Sequence, residues 1–205
     1  AIGRVPNTGA DWFRSSGLKL DERGYVTVDG CGRTNLDGVW ALGDITPGHA
    51  LPHRAFEQGI TIAEKIAGAD PKPVIDDTVP QVVFSFPEAA SVGLTLDQAK
   101  AREDVVEPKE TAYPMLSNAR MLMSGEGGSM TVVSGAFANN PDMQVVLGVH
   151  IVSPIASDLI AEAEQLVGNR VPLADAARLI HPHPTFSETL GEALLKADGR
   201  PLHTR

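Results

Sequence analysis

Ser129-Met130-Thr131-Val132-Val133-Ser134-Gly135-Ala136-Phe137 and Gln144-Val145-Val146-Leu147-Gly148-Val149-His150-Ile151-Val152 flank Ala138-Asn139-Asn140-Pro141-Asp142. The flanks are rich in β-branched residues, which suit a pleated surface, and the centre collects Asn, Pro and Asp, which suit turns. This predicts two strands joined by a turn. Residues 105–113 give a third strand candidate, residues 81–86 and 90–93 two shorter ones. Thr95 is placed to cap a helix running to about Arg102, with Asp97 in its acidic first turn. Downstream, helices are predicted over 156–167, 173–179 and 187–197, the last closed by Gly199. Strands grouped first and helices later imply an α+β domain on an antiparallel sheet.

Upstream the grammar changes. Residues 69–80, proline-rich and charged, read as a domain boundary. Before them lie a strand-like run at Tyr25-Val26-Thr27-Val28 and a continuous apolar run at Val39-Trp40-Ala41-Leu42, ending at Gly43-Asp44. A loop holding Pro47 and Gly48 leads to a helix over 52–67. Its apolar positions Phe56, Ile60, Ala63 and Ile66 follow helical spacing, and Pro52 and Gly68 suit its two ends.

Composition narrows the function class. The 205 residues carry 26 acidic against 17 basic side chains, a net charge of −9, which argues against a polyanionic partner such as nucleic acid. The hydrophobic share of 42% suffices for a packed core. No run approaches the roughly 20 apolar residues of a membrane span, and the opening residues lack the apolar core of a signal peptide. With no initiator Met and a turn-like opening, the chain is expected to be part of a longer polypeptide. The one cysteine, Cys31, cannot form an internal disulfide and has no base near it in sequence. A low cysteine count fits a reducing compartment, hence a cytoplasmic location.

Two stretches could carry chemistry. In His181-Pro182-His183-Pro184-Thr185-Phe186-Ser187-Glu188, two histidines sit in a proline-stiffened loop ahead of a helix. A histidine can exchange a proton near neutral pH, and a base needs its tautomer fixed, usually by a carboxylate. Glu188 is spaced to fold back onto His183, which suggests proton shuttling for a group supplied elsewhere. The alternative is a stiff loop with Ser187 as helix cap and Glu188 as an ordinary first-turn acid. Metal binding by the two histidines would need Glu162 or Glu164, and no ligand spacing supports it. The second stretch is Gly43-Asp44, where a carboxylate at a strand end could bind a ribose-like diol. The helix start at Leu51-Pro52-His53 would offer backbone N–H groups and a positive dipole end. Gly-Asp after a strand is also a common plain turn. His150 reads as structural, His49 says little, and Met115, Met121, Met123 and Met130 read as packing. Gly125-Glu126-Gly127-Gly128 reads as a hairpin connection, not a phosphate loop.

These stretches, in this order, resemble the pyridine nucleotide-disulfide oxidoreductases. Thr34 to Asp44 resembles their second flavin-binding motif, Val83 to Thr95 the start of their dimerisation domain, Leu147 to Val152 its central strand, and His181 to Glu188 their carboxy-terminal active-site loop. Ala1 to Thr8 resembles the exit from their nicotinamide-binding domain. The likeness covers essentially the whole chain, and the His-x-His-Pro-Thr form is most similar to dihydrolipoamide dehydrogenases.

The resemblance implies a tail of the NAD-binding domain at 1–28, a returning segment of the FAD-binding domain at 29–75 and a dimerisation domain at 76–205. It implies that Asp44, after Gly43, bonds the ribityl chain of FAD and that Leu51, Pro52 and His53 face the flavin. It implies that His183 is the acid–base, oriented by Glu188 and acting across a homodimer, with a cis His183–Pro184 bond. NAD would be the acceptor and the lipoyl domain of a 2-oxo acid dehydrogenase complex the partner. The family's Gly-x-Gly-x-x-Gly loop and Cys-x4-Cys disulfide are not in these residues, so this chain alone is expected to be inactive. A dimerisation module without catalysis, or a flavin-dependent quinone reductase lacking the disulfide, are the alternative readings.

Overall fold

The computed structural model describes residues 3–204. The chain forms two compact units, Ala1–Asp76 and Asp77–Arg205. Ala1 and Ile2, at the head of the stretch that resembles a nicotinamide-domain exit, lie outside the described residues.

The first unit has little regular structure. It holds a short helix α1 (Asp11–Ser15), a 3-10 turn at Gly43–Ile45 and the long helix α2 (Pro52–Ile66). Phe13, Val26 and Ala41 make a small core, with Leu18, Val28 and Ile45 packed on it. The two strand-like runs expected here form no ladder: they contribute single bridges, Leu20 to Val26 and Arg33 to Trp40. A strand needs a row of backbone partners along one neighbour, and the backbone bonds of these segments go to turns and scattered loop residues instead, as Val26 N–H to Ile45 and Ala41 N–H to Gly32. Helix α2 forms as expected, but its apolar stripe is turned outward. Phe56, Ile60 and Ile66 are exposed, while Arg54, Thr61 and Ile62 are buried.

The second unit is built on a five-stranded antiparallel sheet. Its elements run β1 (Gln81–Val83), β2 (Glu88–Gly93), α3 (Leu96–Ala101), β3 (Val105–Pro114), α4 (Ala119–Ser124), β4 (Ser129–Phe137), β5 (Asn140–Ser153), α5 (Ala156–Gly168), α6 (Leu173–Ala176) and α7 (Glu188–Ala197). The strand order is β1-β2-β5-β4-β3. The β4–β5 hairpin closes with Phe137 opposite Asn140, a tighter turn than the sequence suggested. Thr95 and Gln98 form a reciprocal capping box at the start of α3. Helix α4, absent from the sequence reading, is capped by Asn118 and ends at Gly125 in the left-handed conformation. Helix α6 stops at Ala176, short of the expected Leu179.

Alternation along the strands decides the layers. Ala90, Val92, Tyr113, Met130, Val132, Val149 and Ile151 face one way and pack with Leu159, Ile160 and Ala163 of α5 and Leu190, Ala193 and Leu194 of α7. Burying each large aliphatic side chain contributes about 1.5–3 kcal/mol, so this cluster dominates the unit's stability. On the opposite face Val133, Val145 and Leu147 pack with Leu94, Ala99 and Val105. Gly93 and Gly148 pair where the chain leaves β2 and crosses this face. A Cβ on Gly148 would come within 2.2 Å of the Leu94 carbonyl, and one on Gly93 within 2.2 Å of the Leu147 carbonyl. Only glycine permits that approach.

Candidate functional site

The most developed constellation in the second unit is the loop between α6 and α7. Pro182 and Pro184 stiffen it, and the His183–Pro184 bond is cis. Glu188, the first residue of α7, turns its carboxylate back over the loop. Its Oε2 accepts the Thr185 backbone N–H at 2.7 Å, and its Oε1 lies 2.8 Å from Nδ1 of His183. The side chain thus ties the loop backbone to α7 and grips the imidazole at once. Ser187, the helix cap of the alternative reading, makes no side-chain cap bond; its hydroxyl lies 2.9 Å from that of Thr185. Asn118, the α4 cap, donates to the Thr185 carbonyl at 3.1 Å, which ties the loop to the sheet side of the unit.

Electrostatics support the arrangement. Burial alone would raise the Glu188 carboxyl, but the Thr185 N–H and the His183 ring outweigh it and hold Glu188 below its usual range. The carboxylate is therefore ionised at neutral pH and accepts from Nδ1, which leaves Nε2 as the ring's other nitrogen. The His183 side chain is 70% exposed, so Nε2 is open to a reactant. Such a pair can accept a proton from, or return one to, a group brought to it.

The other histidine of the loop has a different fate. His181 is 9% exposed, and its Nε2 lies 2.8 Å from Oε1 of Glu162 on α5. Glu162, a candidate only for metal binding in the sequence, is the partner of His181. The signal was its position on a helix face, which spacing alone could not aim at the loop. Among the described residues no three His, Cys, Asp or Glu side chains gather into a metal-binding group.

In the first unit, Gly43 has φ of +71° and opens the 3-10 turn that presents Asp44. Its N–H donates to Oε1 of Gln58 at 2.8 Å, and its carbonyl accepts the Thr46 hydroxyl. Asp44 is 62% exposed, with Arg4 4.0 Å away. Leu51 is the N-cap of α2 and makes no side-chain cap bond; Pro52 follows at the first turn. A residue with no motif to mark it in the sequence organises the turn. Arg54, 6% exposed, donates to Asp76 at 2.6 Å and to the Pro47 carbonyl at 2.5 Å, and its Nη1 is 3.5 Å from both Thr46 and Gln58. So Gly43, Asp44 and the head of α2 form one braced assembly, while His183 and Glu188 belong to the other unit.

Residues 79–194 match the family model described as pyridine nucleotide-disulphide oxidoreductase, dimerisation domain, and residues 1–59 match pyridine nucleotide-disulphide oxidoreductase. The chain belongs to this family. Among its relatives are dihydrolipoyl dehydrogenases: that of Cupriavidus necator is 40% identical over 99% of this chain, that of Bacillus subtilis 35% over 99%. The chain spans 41% of the length of each. The crystal structure of LpdA from Mycobacterium tuberculosis superposes on 96% of this chain with a TM-score of 0.84 and 31% identity, covering 42% of that protein. The flavoprotein disulfide reductase RclA from Escherichia coli shares the fold at a TM-score of 0.79 and 24% identity, over 95% of this chain and 43% of that one. No helix among the described residues is long and apolar enough to cross a membrane.

Proposed function

We propose that this chain is the carboxy-terminal portion of an FAD-dependent dihydrolipoyl dehydrogenase, with NAD as acceptor. The observation that carries the reading is the 2.8 Å contact of His183 with Glu188 on an exposed, braced loop. Glu188 holds the imidazole by Nδ1, and Nε2 takes the proton of a dihydrolipoamide thiol as the thiolate forms. The same nitrogen returns a proton in the reverse direction. Orientation by the carboxylate fixes the tautomer of the neutral ring, with its proton on Nδ1, so that Nε2 is the accepting nitrogen and is aimed.

The residues of the first unit suit a flavin. The exposed Asp44 carboxylate can accept hydroxyl hydrogen bonds of a polyol chain, and the head of α2, with no side chain capping it, suits an electron-rich ring edge. Gly43, Leu51, Pro52 and His53 complete the backbone of that surface. Bound there, FAD would supply the two-electron transfer that links dithiol to nicotinamide. On this reading residues 1–28 and 29–75 are segments of the NAD- and FAD-binding domains and 76–205 the dimerisation domain. The protein works as a cytoplasmic homodimer, His183 of one subunit serving the flavin site of its partner and the lipoyl domain of a 2-oxo acid dehydrogenase complex delivering substrate.

The test is to purify the complete gene product and record its visible absorption and its dihydrolipoamide-dependent reduction of NAD. A flavin spectrum and turnover are expected. A flavoprotein that reduces quinones but leaves dihydrolipoamide untouched would overturn the reading.

A further inference from the structure

The His181 side chain is largely covered where a solvent-exposed loop leaves the core, and its surroundings are more specific than a packing role needs. Its Nε2 meets Glu162 of α5 at 2.8 Å. The backbone of Leu179 adds to the stabilisation of the ring's charged form. The third wall is α7: a Cβ added at Gly191 would stand 2.5 Å from Nδ1 of His181, so the helix has room for this ring only because residue 191 is glycine. Glu188, which holds His183, lies on the same helix less than one turn earlier.

We propose that His181 is a positioning residue for His183. One residue separates the two rings, and that residue is Pro182, whose fixed φ removes a degree of freedom from the link. Locking His181 between α5 and α7 therefore fixes the point from which His183 is presented to Glu188. The charge state fits a clamp. The Glu162 hydrogen bond outweighs burial and, with Leu179 and the more distant Glu188, raises the His181 pKa, favouring an imidazolium that donates from Nε2 to Glu162. The facing charged groups are Glu162 from α5 and Glu188 from α7. The role rests on the proposed dithiol chemistry at His183.

The experiment compares His181→Gln, Glu162→Leu, Glu162→Gln and His183→Ala in the complete flavin-loaded protein. His181→Gln and Glu162→Leu are expected to lower kcat for dihydrolipoamide oxidation about tenfold, the scale of a modestly misplaced catalytic group. KM and flavin content should stay unchanged. Glu162→Gln keeps an acceptor for the ring and should recover most of the rate, which a general loss of packing would not predict. Wild-type kcat in His181→Gln and Glu162→Leu, with His183→Ala impaired, would overturn this role and leave the functional reading intact. An unimpaired His183→Ala would overturn both.

Discussion

Glu188 meets His183 with one carboxylate oxygen, at 2.8 Å from Nδ1, while its other oxygen accepts the backbone N–H of Thr185 at 2.7 Å. The carboxylate is anchored by the backbone of the loop it organises, so the imidazole is referenced to α7 and not to its own flexible side chain. One helical turn further on, Glu192 repeats the grip: its Oε1 lies 2.8 Å from Nδ1 of His203, and its Oε2 accepts the His203 N–H.

The first prediction concerns that anchor. Glu188→Ala in the complete protein should reduce dithiol oxidation by about 10²-fold, close to the loss from His183→Ala, because the base loses its orientation. Glu188→Gln, which keeps the Thr185 bond but not the charge, should fall less. Steady-state turnover with dihydrolipoamide at saturating NAD is the measurement; equal rates for Gln and wild type would mean that charge is not needed.

Stability should depend on pH in two opposite senses. Glu188 is held below its usual 4.5, so its contribution is full above that value and is lost as pH falls through the lower folded value. His181 is raised above 6.5, so its contribution is full below 6.5 and is lost as pH rises through the higher folded value. Both are present together between these limits, in mildly acidic buffer. Thermal melts of wild type and Glu162→Leu across pH 5 to 9 should therefore differ most near the acidic end. A difference that grows with pH would contradict the sign for His181.

Much of the second unit is legible in the sequence. Strands 105–114, 129–137 and 140–153 show through because β-branched residues alternate or run together and turn residues separate them. The Thr95 cap and the pairing of His183 with Glu188 were legible for the same reason: each is local, set by spacing along a few residues. What escaped is long-range. Glu162 lies 19 residues from His181, and nothing in the helix pattern says which loop it will meet. Asp76 lies 22 residues from Arg54 and hides in a proline-rich linker. The Val39–Leu42 run looked like a strand because apolar residues gather there, yet a strand exists only with neighbours to pair, and here Trp40 alone finds a bridge.

Arg54 gives a third prediction. Arg54→Met would leave Asp76 and the Pro47 carbonyl without their charged donor and loosen the turn that carries Asp44. The loss should be about 2 kcal/mol, the scale of hydrogen bonds to a charged group, reduced where Asp76 is already in contact with water. Both tryptophans, Trp12 and Trp40, lie in the first unit, so urea melts followed by tryptophan fluorescence isolate its unfolding. Flavin release from the complete protein should become easier. An unchanged fluorescence midpoint would show that Arg54 does not brace this unit.

Gly148→Ala makes the converse case in the second unit. Its Cβ would collide with the backbone of Leu94, which no side-chain rotation can relieve, so the pairing of β2 with β5 must open. A loss of about 1–3 kcal/mol is expected by circular dichroism, with little change in the tryptophan melt. A wild-type circular dichroism melt would contradict the close approach.

The central claim is that His183, held by Glu188, handles the dithiol proton. Rapid mixing of the complete oxidised protein with dihydrolipoamide, followed by the flavin absorption change, tests it most directly. His183→Ala should slow this first reductive step by about 10² or more while flavin content is unchanged. Reduction of the His183→Ala flavin at the wild-type rate would contradict it.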